Sequence, residues 1–123
     1  TYGGIAFRDS HSGTIRGYVY YNNANNIGFL DNTGNWRLQV EGSTRTRSRN
    51  HFTPDTDGDY DLGESGLRWR NVYTNDLNLS NEGGGNDVDG SWGSFTIQEG
   101  ENDLFLLNKR NGKKYKFNLT EVS

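Results

Sequence analysis

Residues 14–40 read TIRGYVYYNNANNIGFLDNTGNWRLQV, and the alternation inside this stretch decides the fold class. Ile15, Gly17, Val19 and Tyr21 face one way, while Arg16, Tyr18 and Tyr20 face the other. Period two in β-branched and aromatic residues is the signature of a strand. The run Asn22 to Asn26 breaks it as a loop, and Ile27 to Leu30 resumes it as a short strand. Asp31 to Gly34, DNTG, is a hairpin connection. Trp36, Leu38 and Val40 then alternate with Arg37, Gln39 and Glu41. Upstream, Ile5 and Phe7 alternate with Ala6 and Arg8 ahead of a turn at 9–13. Residues 1–50 are thus expected to form a β-meander module.

Beyond it the pattern changes three times. Arg45, Arg47 and Arg49 fall on alternate positions, so a strand would range three guanidinium groups along one face. Such a row either grips a phosphate- or carboxylate-bearing partner or pairs with some of the 16 acidic residues. In the second segment, 51–81, Asp55, Asp57, Asp59 and Asp61 also alternate. Their spacing raises a calcium loop, because hard cations gather carboxylate oxygens. Counted from Asp55, however, Tyr60 stands where an EF-hand needs Gly and Gly66 where it needs Glu, so an acidic turn is the other reading. Leu67, Trp69, Asn71 and Tyr73 next predict a strand with an aromatic face, continued by Leu77 and Leu79.

Residues 82–91, with three consecutive glycines, read as a linker. The last segment, 92–123, is a small hairpin unit opened by Phe95 and Ile97. Asn111-Gly112 is the strongest hairpin signal in the chain. A type I′ turn there sets Leu106 opposite Phe117, Leu104 opposite Leu119 and Asn108 opposite Tyr115. Phe105 and Leu107 then fall on the other face, among Lys114 and Lys116, and need a cover. The expected core residues are Trp36, Trp69, Tyr73, Leu104, Leu106, Phe117 and Leu119.

Composition limits what such a core can be. The chain has 123 residues, of which 17 are Gly and 16 Asn, and its hydrophobic fraction is 30%. Its mean hydropathy is −0.96. A globular domain brings about 45–50% apolar residues, glycine included. Yet 13% of residues are aromatic, too many for a disordered chain. Repetitive β-structure completed by partner chains reconciles the two numbers.

The chemistry of most enzyme classes is missing from the motifs. Cysteine is absent, which removes disulfides and thiolate metal sites, and two His leave any zinc site dependent on carboxylates. Asp9, Ser10 and His11 carry the letters of a hydrolase triad, but adjacent residues do not converge on one site. No nucleophile elbow, phosphate loop or dinucleotide fingerprint occurs. A net charge of −3 argues against nucleic acid, and no apolar run approaches the ~18 residues of a membrane span. The first residue is Thr rather than Met, as in a fragment or a processed product. No catalytic, cofactor-binding or metal-binding residue is expected.

YDLGESGLRWRNVYTNDLNLS (60–80) resembles a segment that recurs in tail fibres and related structural proteins of tailed phages. SWGSFTIQEGENDLFLLNKRNGKKYKFNLTEV (91–122) is similar to the short terminal unit of marine-phage fibre and virion structural proteins. The meander of residues 3–38 is similar to β-meanders of the same group. The self-cleaving chaperone domain that follows such segments in some fibres is not matched. This resemblance implies a homotrimeric fibre on the virion surface, in contact with other virion proteins, with host attachment as its usual task. A capsid-attached fibre, knob or decoration protein, and the non-catalytic end of a polysaccharide-degrading tailspike, are the alternatives. The fold expected is all-β: short antiparallel strands and hairpins in a β-meander or β-prism-like fibre, completed by homotrimerisation. Contact with a host glycan would fall on Tyr18 and Tyr20, beside the Asn-rich loop, or on Arg45, Arg47 and Arg49. Packing between subunits is the other reading of the two tyrosines.

Overall fold

The computed structural model describes residues 3–11 and 13–122. Ser12, in the turn expected at 9–13, lies outside the described residues. The described chain is all-β, with nine strands in two antiparallel sheets and no helix. It divides into two compact units after Leu62.

The first sheet is the expected meander, each strand pairing with the next: β1 (Gly3–Arg8), β2 (Ile15–Tyr21), β3 (Asn26–Leu30), β4 (Trp36–Glu41) and β5 (Arg45–Ser48). Register places Ile5, Val19, Phe29 and Leu38 in one cross-strand row and Tyr21, Ile27 and Val40 in the next, on the same face. The opposite face carries Tyr20, Gly28, Gln39 and Arg47 in one row. Gly28 is glycine because the strands close tightly there: a Cβ would run into the Leu38 carbonyl and the Gln39 backbone.

A bulge corrects the reading of Trp36. Phe29 pairs with Leu38 but Leu30 pairs with Trp36, so Arg37 is the extra residue. Trp36 therefore leaves the Leu38 and Val40 phase and joins Tyr20 on the other face, its ring 5.8 Å from that of Tyr20 in an edge-on arrangement. The DNTG connection explains where the freed Arg37 goes. Asp31 Oδ1 accepts the backbone N–H groups of Thr33 and Asn35, each at 2.9 Å, and Oδ2 accepts Arg37 Nε at 2.9 Å. These donors, the Asn35 N–H and Thr33 hydroxyl foremost, hold the Asp31 carboxyl well below the usual carboxylate range.

The second sheet orders β6 (Leu77–Ser80), β7 (Ser94–Glu99), β8 (Leu104–Asn108) and β9 (Lys114–Lys116). Because β6 pairs with β7, residues 82–91 are a connection within one sheet rather than a linker between modules. That loop is built by hydrogen bonds. Asn86 Oδ1 accepts from the N–H groups of Val88 and Asp89, and Asp89 Oδ1 accepts from the Ser91 N–H and hydroxyl. The Ser91 hydroxyl and N–H, with the Asn86 amide, lower the Asp89 carboxyl to about 2.

The last hairpin keeps its expected faces but not its expected register. Leu106 stands opposite Tyr115, and Phe117 N–H donates to the Leu104 carbonyl at 3.0 Å. The turn is not type I′, which requires positive φ at both central residues. Only Gly112 has it, at 73°. Asn108 closes a wider loop instead: its carbonyl accepts the Gly112 N–H, and its N–H donates to the Lys113 carbonyl. The slip is of two residues, so no side chain changes face.

Residues 51–76 hold the largest departure. The strand expected over Leu67 to Tyr73 is absent; the segment makes one isolated bridge, Glu64 to Leu67, and then runs unpaired. An alternating sequence becomes a strand only where another strand completes its ladder, and none among the described residues does. Trp69, Tyr73 and Leu119, read as core, are 64%, 93% and 70% exposed. Trp36, Leu104, Leu106 and Phe117 are half-buried. No hydrophobic residue among those described is buried.

Candidate binding face

Of the residues singled out for host contact, the first sheet gathers Tyr18, Tyr20, Arg45 and Arg47 on one face. Tyr18 and Tyr20 alternate with Val19 on β2, so both project away from the apolar rows. Trp36 joins them through its bulge, and Tyr18, Leu30 and Trp36 follow one another across three strands. The result is a half-buried aromatic cluster on an otherwise open sheet.

Beside it the arginine row pairs with an acidic residue, the second of its two readings, and the partner, which the sequence did not single out, is Glu41. Glu41 forms ion pairs with both arginines, Oε2 lying 3.0 Å from Arg45 Nε and Oε1 3.1 Å from Arg47 Nε, and Oε1 accepts from Gln39 Nε2 at 3.3 Å. The arginine row is therefore partly neutralised by one carboxylate, while remaining exposed on its outer side. Alternating arginines on a strand could signal this, because Glu41 sits opposite Arg45 across the β4–β5 hairpin. Gln39 is 5% exposed, and its Oε1 has no hydrogen-bond partner. Arg49 lies past the end of β5; its N–H donates to the Arg37 carbonyl at 3.0 Å, and its side chain is exposed.

An aromatic cluster flanked by a carboxylate, an amide and two guanidinium groups suits a polyol. Rings offer apolar faces to C–H surfaces, and the polar neighbours reach hydroxyl groups. The face is open rather than pocketed, so any contact made there is a surface contact.

The other candidates stay apart. Asp55, Asp57, Asp59 and Asp61 are all exposed, and nowhere among the described residues do three His, Asp or Glu side chains gather as metal ligands. Asp9 pairs with Arg16 at 2.8 Å, and His11 and His51 are exposed. A second unforeseen arrangement occurs at the end of the second sheet. The Arg110 guanidinium lies 3.8 Å from the Trp92 ring centre, and its Nη1 donates to the Trp92 carbonyl at 2.8 Å. Eighteen residues separate the two, which hides the pair from any local reading.

No protein-family model matches the sequence, and neither a curated protein nor a solved structure is significantly similar to it.

Proposed function

We propose that this chain is a structural, non-enzymatic module of a virion fibre that assembles as a homotrimer and contributes to host-surface attachment. The observation that carries the reading is the missing core. Two ordered sheets occur without one buried hydrophobic residue among those described. A domain normally closes its core by packing one layer on another, and each unit here offers a single sheet. Assembly with further chains supplies the absent layer and ties stability to association. The resemblance of residues 60–80 and 91–122 to phage fibre segments agrees with it. Attachment through Tyr18, Tyr20 and the Arg45–Glu41–Arg47 group is the part of the proposal that concerns a host glycan.

Immunogold labelling of intact particles with an antibody against the purified chain tests the assignment. Label along fibres is expected; label confined to the capsid surface favours a decoration protein. Release of oligosaccharide from host polysaccharide by the purified chain would overturn the non-enzymatic reading.

A further inference from the structure

The two faces of the first sheet differ in a way that decides which one an assembly buries. Ile5, Phe7, Ile27 and Phe29 are each more than half exposed, and the paired register places no charged residue in their rows; Arg16 and Arg37 stand unpaired at bulges, where they meet Asp9 and Asp31. Glu41, Arg45 and Arg47 stand on the other face, with Tyr18, Tyr20 and Trp36. Burying the second face would strip water from three charged groups, whereas burying the paired rows of the first strips none.

The exposed area is large enough to supply an extensive interface. The chain exposes 10905 Å². A compact monomer of its mass would expose about 6,700 Å², and two separate globules of half that mass about 8,000 Å² in all. A surplus of roughly 3,000–4,000 Å² per chain, shared among both sheets and the unpaired segment 51–76, is more than enough for one chain's half of an obligate interface, which removes about 2,000–5,000 Å² from the two partners together. A second copy fits this face without a charge mismatch, since charge-free rows meet their own kind. Every copy also carries the same deficit, so closed symmetry satisfies all of them together.

We infer that the face centred on the charge-free rows of Phe29, Ile5 and Val19 is the subunit interface, packed against the same face of neighbouring copies, and that the Tyr18–Tyr20–Trp36 face is turned to solvent. This rests on the self-assembly proposed above and adds the face on which it occurs. It also chooses between the two readings of Tyr18 and Tyr20, placing them on the solvent side of the sheet rather than between subunits.

The chain contains no cysteine, so one introduced thiol reports on one position. Phe29→Cys and Arg47→Cys variants of the full chain place that thiol on opposite faces of the sheet. Sedimentation gives the oligomeric state, and the rate of maleimide labelling in buffer is compared with that in denaturant. Expected are oligomers in which the Phe29→Cys thiol labels slower than the unfolded reference by about ten-fold or more, while the Arg47→Cys thiol labels at close to the reference rate. Oxidation should also cross-link Phe29→Cys between chains and leave Arg47→Cys uncross-linked. An oligomer whose Phe29→Cys thiol labels freely overturns the interface and leaves self-assembly standing. A monomer overturns both; protection of Phe29→Cys within that monomer would mean that another part of the same chain covers the face. Circular dichroism of each variant confirms the strand content, and Val19→Cys repeats the test should Phe29→Cys fail to fold.

Discussion

Gly28 and Asp31 show how single residues set the geometry of the first sheet. A Cβ at Gly28 would press on the backbone of β4, so Gly28→Ala should destabilise the sheet by about 1–3 kcal/mol, read from thermal unfolding. Gly112, at φ 73°, is held by backbone conformation instead, since a Cβ there would meet open space. Gly112→Ala should cost about 1–2 kcal/mol, the penalty of a left-handed non-glycine residue. Asp31 titrates lower in the folded chain than in the unfolded one, where its value is near 3.8. A depressed carboxyl stabilises the fold above its unfolded value, and that contribution disappears as pH falls toward the folded one. Thermal melts from about pH 5 to about pH 3 should therefore show a shallower acid decline in Asp31→Asn than in the parent. An identical decline in both would place the acid sensitivity elsewhere.

Elements depend on their neighbours more than on their own pattern, and Leu67 to Tyr73 is the clearest instance. The alternation is as regular there as in β2, yet only β2 has neighbours on both sides. With Trp69 64% exposed, Trp69→Ala should cost a dissociated chain little. If assembly buries the indole, the same change should cost the oligomer about 3–5 kcal/mol. Unfolding followed above and below the dissociation concentration separates the two values. The β4–β5 hairpin yields a second test. Arg45 and Arg47 have side chains 62% and 47% exposed, so pairing with Glu41 contributes at most about 1 kcal/mol. The Arg45/Arg47/Arg49 triple alanine variant should stay folded. If the face holds an anionic glycan, host-cell adsorption of the parent should fall with added salt and that of the variant should be low throughout. Tyr20→Ala should lose adsorption to the same extent at every salt concentration. Two variants that assemble and adsorb like the parent would make this region a shaft.

For the whole molecule, stability is expected to be a property of the assembly. A chain with no buried hydrophobic side chain among its described residues has little to offset the entropy of ordering it. The midpoint of thermal unfolding should therefore rise with protein concentration, as mass action requires of folding coupled to association. A midpoint independent of concentration, in a species sedimenting as a monomer, would sink the trimeric fibre proposal.

What the amino-acid order determined was local. Period two in residues 15–21 and 36–41, glycine and asparagine at the turns, and the apolar deficit were enough for an all-β chain of short antiparallel strands. Even the slipped hairpin kept Leu104 and Leu106 on the face of Phe117, because a two-residue slip preserves parity. Three matters were decided only in three dimensions. The bulge at Arg37 turned Trp36 toward Tyr20, since one extra residue reverses every side chain before it and leaves the composition unchanged. The pairing of β6 with β7 made a loop of the glycine-rich stretch, because a ladder is closed by a distant strand. The charges of Arg45 and Arg47 met Glu41 in particular because β4 and β5 pair side by side in the register that sets Glu41 opposite Arg45. Alternation states that a residue has two faces to choose from; which neighbours share its face is a property of register, and register belongs to the sheet.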